Sequence, residues 1–202
     1  MQKHTYVVVD TETGGLDPYV HSLLEVGIIV RLPDGTQHEL DLRIKEPEIV
    51  IDDYLINHVT DGSNKLALAS LEPDWEGDTP AVACNKIAHW LNATLGEADP
   101  KTVYGSMHNV AFDSAYMRRL WQLGQASGLP VPRIPNLLTG YHSLDTFGLA
   151  YMAAKQDTIP YCGKLDHIIE ELGVEPLLEE DRHTAIGDCR VQMKVLLALL
   201  GE

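Results

Sequence analysis

Apolar residues cluster first in short β-branched runs and later at helical spacing. Tyr6 to Asp10, with Val7-Val8-Val9 at its centre, reads as a buried strand. Ser22 to Leu32 reads as a second strand, and Pro33-Asp34-Gly35 supplies hairpin-turn chemistry. Gln37 to Lys45 alternates as a third, antiparallel strand would. Between Pro47 and Thr79 the pattern weakens into short helices and loop. Thr79-Pro80 then opens a helix to about Leu95, with Val82, Ile87, Trp90, Leu91 and Leu95 on or near one face. Thr102 to Tyr104 reads as a short strand and Val110 to Leu123 as a helix. The proline-rich stretch Gly128 to Asn136 is loop, Ser143 to Asp145 ends another short strand, and Thr146 to Ala154 is helical. Two more helices are expected, Leu165 to Leu172 stopping at Gly173, and Thr184 to Leu200. Strands first, then strands alternating with helices, predict an α/β fold with a mixed sheet covered by helices.

Composition narrows this picture. The 202 residues are 45% hydrophobic and 22% charged, as in an ordinary globular chain, and point to a single domain over residues 1–202. No apolar run approaches the roughly 20 residues that span a bilayer, so no membrane association is expected. Val7-Val8-Val9 is too short for a signal peptide. Cys84, Cys162 and Cys189 are odd in number and far apart, which argues against a disulfide framework or a zinc site and fits reduced thiols in a cytoplasmic protein. Thirty acidic against fifteen basic residues give a formal net charge of −15. That balance disfavours an extended contact with phosphates, which is built on Lys and Arg. It suits a nucleic-acid partner only where some acids are metal ligands and the contact is short.

Three clusters carry candidate chemistry. In Asp10-Thr11-Glu12-Thr13-Gly14-Gly15, two carboxylates sit two residues apart at a strand end and so project from one face. Held that close they repel unless a cation lies between them, and the glycines remove side chains that would keep a substrate away. In Asn109-Val110-Ala111-Phe112-Asp113, Asn109 is a natural helix cap and Asp113 lies one turn on, near the C-terminal end of a strand. In His183-Thr184-Ala185-Ile186-Gly187-Asp188, Asp188 begins the last helix on the side of Gln192 and Val195, with His183 just before it. Alone, the first cluster is as readily a strand-end turn, and the second and third are more readily a capped helix start and a surface acid with a loop histidine.

Taken together, the order Asp-x-Glu, Asn-x-x-Phe-Asp, His-x-x-x-x-Asp resembles the three motifs of the DEDDh family of 3′–5′ exonucleases, in its proofreading-subunit and ribonuclease T-like branches. Leu23-Leu24-Glu25-Val26-Gly27 and Leu144-Asp145-Thr146 add smaller matches, and the resemblance runs from Asp10 to Asp188. Gly14-Gly15-Leu16 departs from the Met-Thr-Gly-Leu form of oligoribonucleases. The resemblance implies a ribonuclease H-like mixed five-stranded sheet, its first three strands antiparallel. It implies hydrolysis of terminal phosphodiester bonds of DNA or RNA with two Mg²⁺ or Mn²⁺ ions. Asp10, Glu12, Asp113 and Asp188 would hold the metal, and His183 would be the general base, imidazole being the side chain that changes charge near neutral pH. Thr13, Gly14 and Leu16 would hold the terminal 3′ nucleotide, Leu16 alternatively being a buried turn leucine. Asn109 would orient substrate or merely cap its helix, the latter being favoured, and Asp145 would cap the helix after it. The partner implied is the 3′ end of a nucleic acid, single-stranded for preference, with a homodimer or a polymerase as further company. The alternative is a catalytically silent nucleic-acid-binding or polymerase accessory module on the same fold.

Overall fold

The computed structural model describes residues 4–59, 62–96, 98–160, 165–176 and 183–202. Three antiparallel strands come first: β1 (Thr5–Thr13), β2 (Leu23–Arg31) and β3 (Gln37–Arg43). Two short helices, α1 (Asp53–His58) and α2 (Lys65–Ala69), occupy the stretch where the hydrophobic pattern weakens. Helix α3 (Pro80–Leu95) leads to β4 (Val103–Met107), which is followed by α4 (Val110–Ala126). The two-residue β5 (Leu144–Asp145) precedes α5 (Thr146–Lys155), α6 (Leu165–Leu172) and α7 (Ala185–Leu200). The sheet order is β3-β2-β1-β4-β5, with β4 parallel to both of its neighbours. This is the five-stranded mixed sheet that the resemblance implies.

Alternation along β1 divides the molecule into layers. Val7 and Val9 pack with Cys84, Ile87 and Leu91 of α3 and Met117, Leu120 and Trp121 of α4. Tyr6 and Val8 face the other way, onto Ile186, Cys189, Met193 and Leu196 of α7. Helices α5 and α6 complete that second layer, with Ala150, Ile168 and Ile169 around Val191 and Val195. Cys84 and Cys189 are buried free thiols, while Cys162 lies outside the described residues. No helix among the described residues is long and apolar enough to cross a membrane.

Two local readings need correction. Val82 is 41% exposed, because the buried face of α3 runs through Ala81, Cys84, Ile87, Ala88 and Leu91 and leaves Val82 to the side. Strand β1 also continues past Asp10 to Thr13, so Asp10 and Glu12 lie within the ladder, opposite Gly27 and Glu25 of β2. The register breaks only after Glu12, where a bulge begins the turn.

Candidate active site

Asp10 and Glu12 share the parity of Tyr6 and Val8, so their side chains lie on the α7 side of the sheet. Asp188 stands in the first turn of α7. The three residues can each offer a carboxylate oxygen within 4.8 Å of the others. Asp113 reaches the group from the opposite layer. It is buried on α4, and its Oδ1 accepts a hydrogen bond of 2.8 Å from Thr11 Oγ1, the side chain between the two strand acids that points the other way. Four acids from three distant stretches of sequence thus meet at the end of the central strand.

The electrostatics follow from this crowding. Burial, with the charges of Asp113, Asp188, Glu12 and Glu25 around it, holds Asp10 well above the usual carboxylate range. Burial and the carboxylates of Asp188, Glu25 and Asp113 push Glu12 up to about 8. Burial raises Asp113 to about 7, against the pull of the Thr11 hydroxyl. Desolvated like charges favour the acid forms unless positive charge is supplied. Hard oxygen donors in such a group suit Mg²⁺ or Mn²⁺, so the residues present fit the divalent ions expected from the sequence.

His183 is exposed, with φ +57, just before the Thr184 cap whose Oγ1 accepts from Gly187 N at 3.1 Å. His183 and Asp188 line one cleft of about 520 Å³, whose other wall is Ile169 and Val174 of the α6 region. Asn109 also has a left-handed backbone, φ +64, a conformation in which non-glycine residues are uncommon outside special sites. Its side chain does not cap α4. Asp145 takes that role, accepting from Asn109 N and Val110 N at 3.2 and 3.3 Å while capping its own helix through Phe147 N at 3.0 Å. The reading of Asp145 as a cap is thus extended to a second helix, and Asn109 is left exposed at the rim.

The glycine pair acts differently from expectation. A Cβ on Gly14 would lie 2.5 Å from Val50 O, and one on Gly15 would lie 2.4 Å from the His21 ring, so the missing side chains make room for protein rather than substrate. Gly14 N donates to Ser22 O at 2.7 Å and Gly14 O accepts from Asp52 N at 2.6 Å, so both of its backbone groups are engaged. Thr13 Oγ1 donates to Gly15 O. Leu16 is 81% exposed, which removes the buried-turn reading. It lines a second cleft, of about 530 Å³, with Glu12, Thr13, Tyr54, Leu55 and Phe112. Phe112 is half-buried, lining this cleft while packing against the core cluster beneath. The loop carrying Leu16 is fastened to α4: Tyr116 donates to Gly15 O at 2.7 Å, and Arg119 donates to Pro18 O at 3.0 Å while pairing with the buried Glu46 at 2.7 Å.

Two neighbours of the site were not singled out in the sequence. Thr11 holds Asp113, as described. Glu25, only 3% exposed, accepts from Ala185 N at 2.8 Å. The signal for Glu25 was a charge inside the otherwise apolar run Leu23-Leu24-Glu25-Val26-Gly27-Ile28-Ile29-Val30, a costly position unless it does something.

The architecture is ribonuclease H-like, and its neighbours among solved structures are nucleases. The chain is similar to cell-death related nuclease 4 (CRN-4), with a TM-score of 0.67 and 12% identity over 98% of this chain and 64% of that one. It is similar to product-bound exonuclease I, with a TM-score of 0.65 and 16% identity over 100% of this chain and 44% of that one. Exonuclease I of E. coli in complex with a dA16 oligonucleotide gives 0.62 and 17%, over 98% and 41%. At these identities the likeness establishes the fold. In sequence, the chain is 29% identical over 195 residues to the PolC-type DNA polymerase III of Thermotoga petrophila and to that of Thermotoga maritima. It spans 96% of its own length but 12% of the polymerases in those matches. No protein-family model matches it.

Proposed function

We propose that this chain is a metal-dependent 3′–5′ exonuclease domain of the DEDDh type, releasing nucleoside 5′-monophosphates from a nucleic-acid end. The observation that carries the reading is the meeting of Asp10, Glu12 and Asp188 within 4.8 Å, with Asp113 buried beside them. Nothing in the packing of an α/β sheet requires four acids at one strand end, and their mutual repulsion opposes it. Similarity to PolC-type polymerases supports a proofreading context, and the exonuclease I complex with dA16 supports a single-stranded DNA 3′ end as substrate.

In this reading Asp10, Glu12 and Asp188 would hold divalent metal, with Asp113 beside them as a further oxygen donor. Two divalent ions, when bound, supply an activated water and stabilise the charge that develops on the phosphate. Divalent charge held there would offset the negative balance of the chain where the substrate enters. His183 takes the proton of the attacking water; its exposure at the rim leaves the ring free to reach it. Leu16, outside the core, rests against the terminal base, with Thr13 beside it, and Asn109 borders the path of the strand. Gly14 contributes through close packing of the turn.

The test is a product ladder from 3′-labelled and 5′-labelled DNA and RNA oligonucleotides with Mg²⁺, Mn²⁺ or EDTA. Stepwise shortening from the 3′ end that EDTA abolishes is expected. Cleavage of circular or end-blocked strands would indicate an endonuclease instead. Binding without cleavage under every metal condition would indicate the silent module.

A further inference from the structure

We propose that Glu25 is a positioning residue, which sets the two C-terminal members of the site, His183 and Asp188, by holding the first amide of α7. The proposal rests on the exonuclease reading only for its kinetic consequence.

The first N–H groups of a helix have no partner within the helix and must find one elsewhere. In α7 the Gly187 N–H is met by the Thr184 hydroxyl, and the Ala185 N–H donates to Glu25 Oε2 at 2.8 Å. Ala185 lies two residues after His183 and three before Asp188, so a restraint on its amide acts on both. The restraint comes from β2, whose Glu25 faces Glu12 across the ladder. The Glu25 carboxylate thus links the strand that carries the partner of Glu12 to the helix that carries Asp188.

An acid is an expensive choice for this purpose. Glu25 is buried among carboxylates, and burial raises its own proton affinity, partly countered by the Ala185 N–H and by Arg43. Arg43 Nε stands 3.9 Å from Glu25 Oε1 and is itself largely exposed, so it steadies the carboxylate without satisfying it. A carboxylate facing a helix N-terminus also interacts favourably with the helix dipole. The packing agrees with a fixed seat: Gly27, the next same-face residue on β2, lets the backbone of Ala185 approach so closely that a Cβ would lie 2.4 Å from it.

The test compares Glu25→Gln, Glu25→Met and Glu25→Ala in the whole chain. Gln retains an acceptor for the Ala185 amide; Met has similar length and none. Amide hydrogen exchange at Ala185 should stay slow in the parent and Glu25→Gln and accelerate about tenfold or more in Glu25→Met and Glu25→Ala, the loss expected for a hydrogen bond to a charged group. Mn²⁺ affinity, read by titration without substrate, should follow the same order and weaken about 10–100-fold in the last two. With oligonucleotide, kcat should fall by a similar factor while KM changes little. Should Glu25→Ala not fold, the Gln and Met pair decides. Unchanged exchange at Ala185 in Glu25→Met would overturn the proposal, and so would Glu25→Gln losing Mn²⁺ as badly as Glu25→Met. If the parent cuts no substrate, the exonuclease reading fails, yet the exchange and Mn²⁺ measurements still judge Glu25.

Discussion

Replacing Gly27 by alanine should unseat Asp188 without touching any acid. Gly27 is the ladder partner of Asp10, and an added Cβ would lie 2.4 Å from Ala185 C and O and 2.6 Å from Ile186 N. Ordinary van der Waals contact begins near 3.4 Å. The obstructing atoms are backbone, so no rotamer change relieves the overlap, and the start of α7 must retreat by about 1 Å. Forcing an extra methyl into a packed site costs about 1–3 kcal/mol, which in a chain of this size lowers Tm by roughly 2–12 °C. The same retreat opens a carboxylate group that now lies within 4.8 Å, and a misplacement of about 1 Å in a catalytic group costs on the order of 100-fold in turnover. Thermal unfolding, Mn²⁺ titration and single-turnover cleavage measure the three effects. Gly148→Ala is the control, since its Cβ would meet nothing nearer than 3.8 Å. A Gly27→Ala protein with parental Mn²⁺ affinity and a Tm within about 1 °C of the parent would refute the close seating of α7.

His183→Ala should cut kcat by about 10²–10⁴-fold, the usual worth of a general base, while Mn²⁺ affinity holds; Asp188→Asn should lose both, and an active His183→Ala enzyme would remove the base assignment. Leu16→Ala should raise KM for a single-stranded 3′ end roughly fivefold, about 1 kcal/mol of apolar contact, with kcat nearly constant. The EDTA-treated protein should also lose stability as pH rises. Burial and repulsion raise Asp10, Glu12 and Asp113 above their unfolded values, so no penalty exists below those values and it accumulates as pH climbs through about 7 to 8. Its Tm should therefore fall between about pH 5 and pH 9, and Mn²⁺ should flatten the curve; a Tm insensitive to pH over that range without metal would contradict the crowding of these acids.

Much of the fold was legible because periodicity reports burial directly. The runs at Val7–Val9 and Leu23–Val30 could only be sheet interior, and the Gly173 and Pro80 signals bracketed their helices. The stretch of α1 and α2 was unreadable because those helices are one to two turns long and half-exposed, leaving no stripe to detect. For the site, the five motif residues were readable as a set only through resemblance. What escaped was each cross-chain contact outside the motif set. Asn109 looked like a cap, but Asp145, thirty-six residues later, supplies it. Gly14 and Gly15 looked like openings for substrate, but Val50 and His21 fill them. Glu25 was visible as an oddity in an apolar strand, yet its partner amide lies 160 residues on.

Those separations bear on how the protein comes into being. Glu25 to Ala185, Cys189 to Gly27 and Tyr6 to Glu202 tie the opening hairpin to α7 and the two residues after it. Contacts so remote in sequence form late, since the loop they close must be brought together before they return any stabilisation. During synthesis the hairpin can pair while the final helix is still inside the ribosome, and at that stage only Asp10, Glu12 and Asp113 can gather. Until α7 has been made and has docked, the group that Asp10, Glu12 and Asp113 begin lacks both Asp188 and the neighbouring His183.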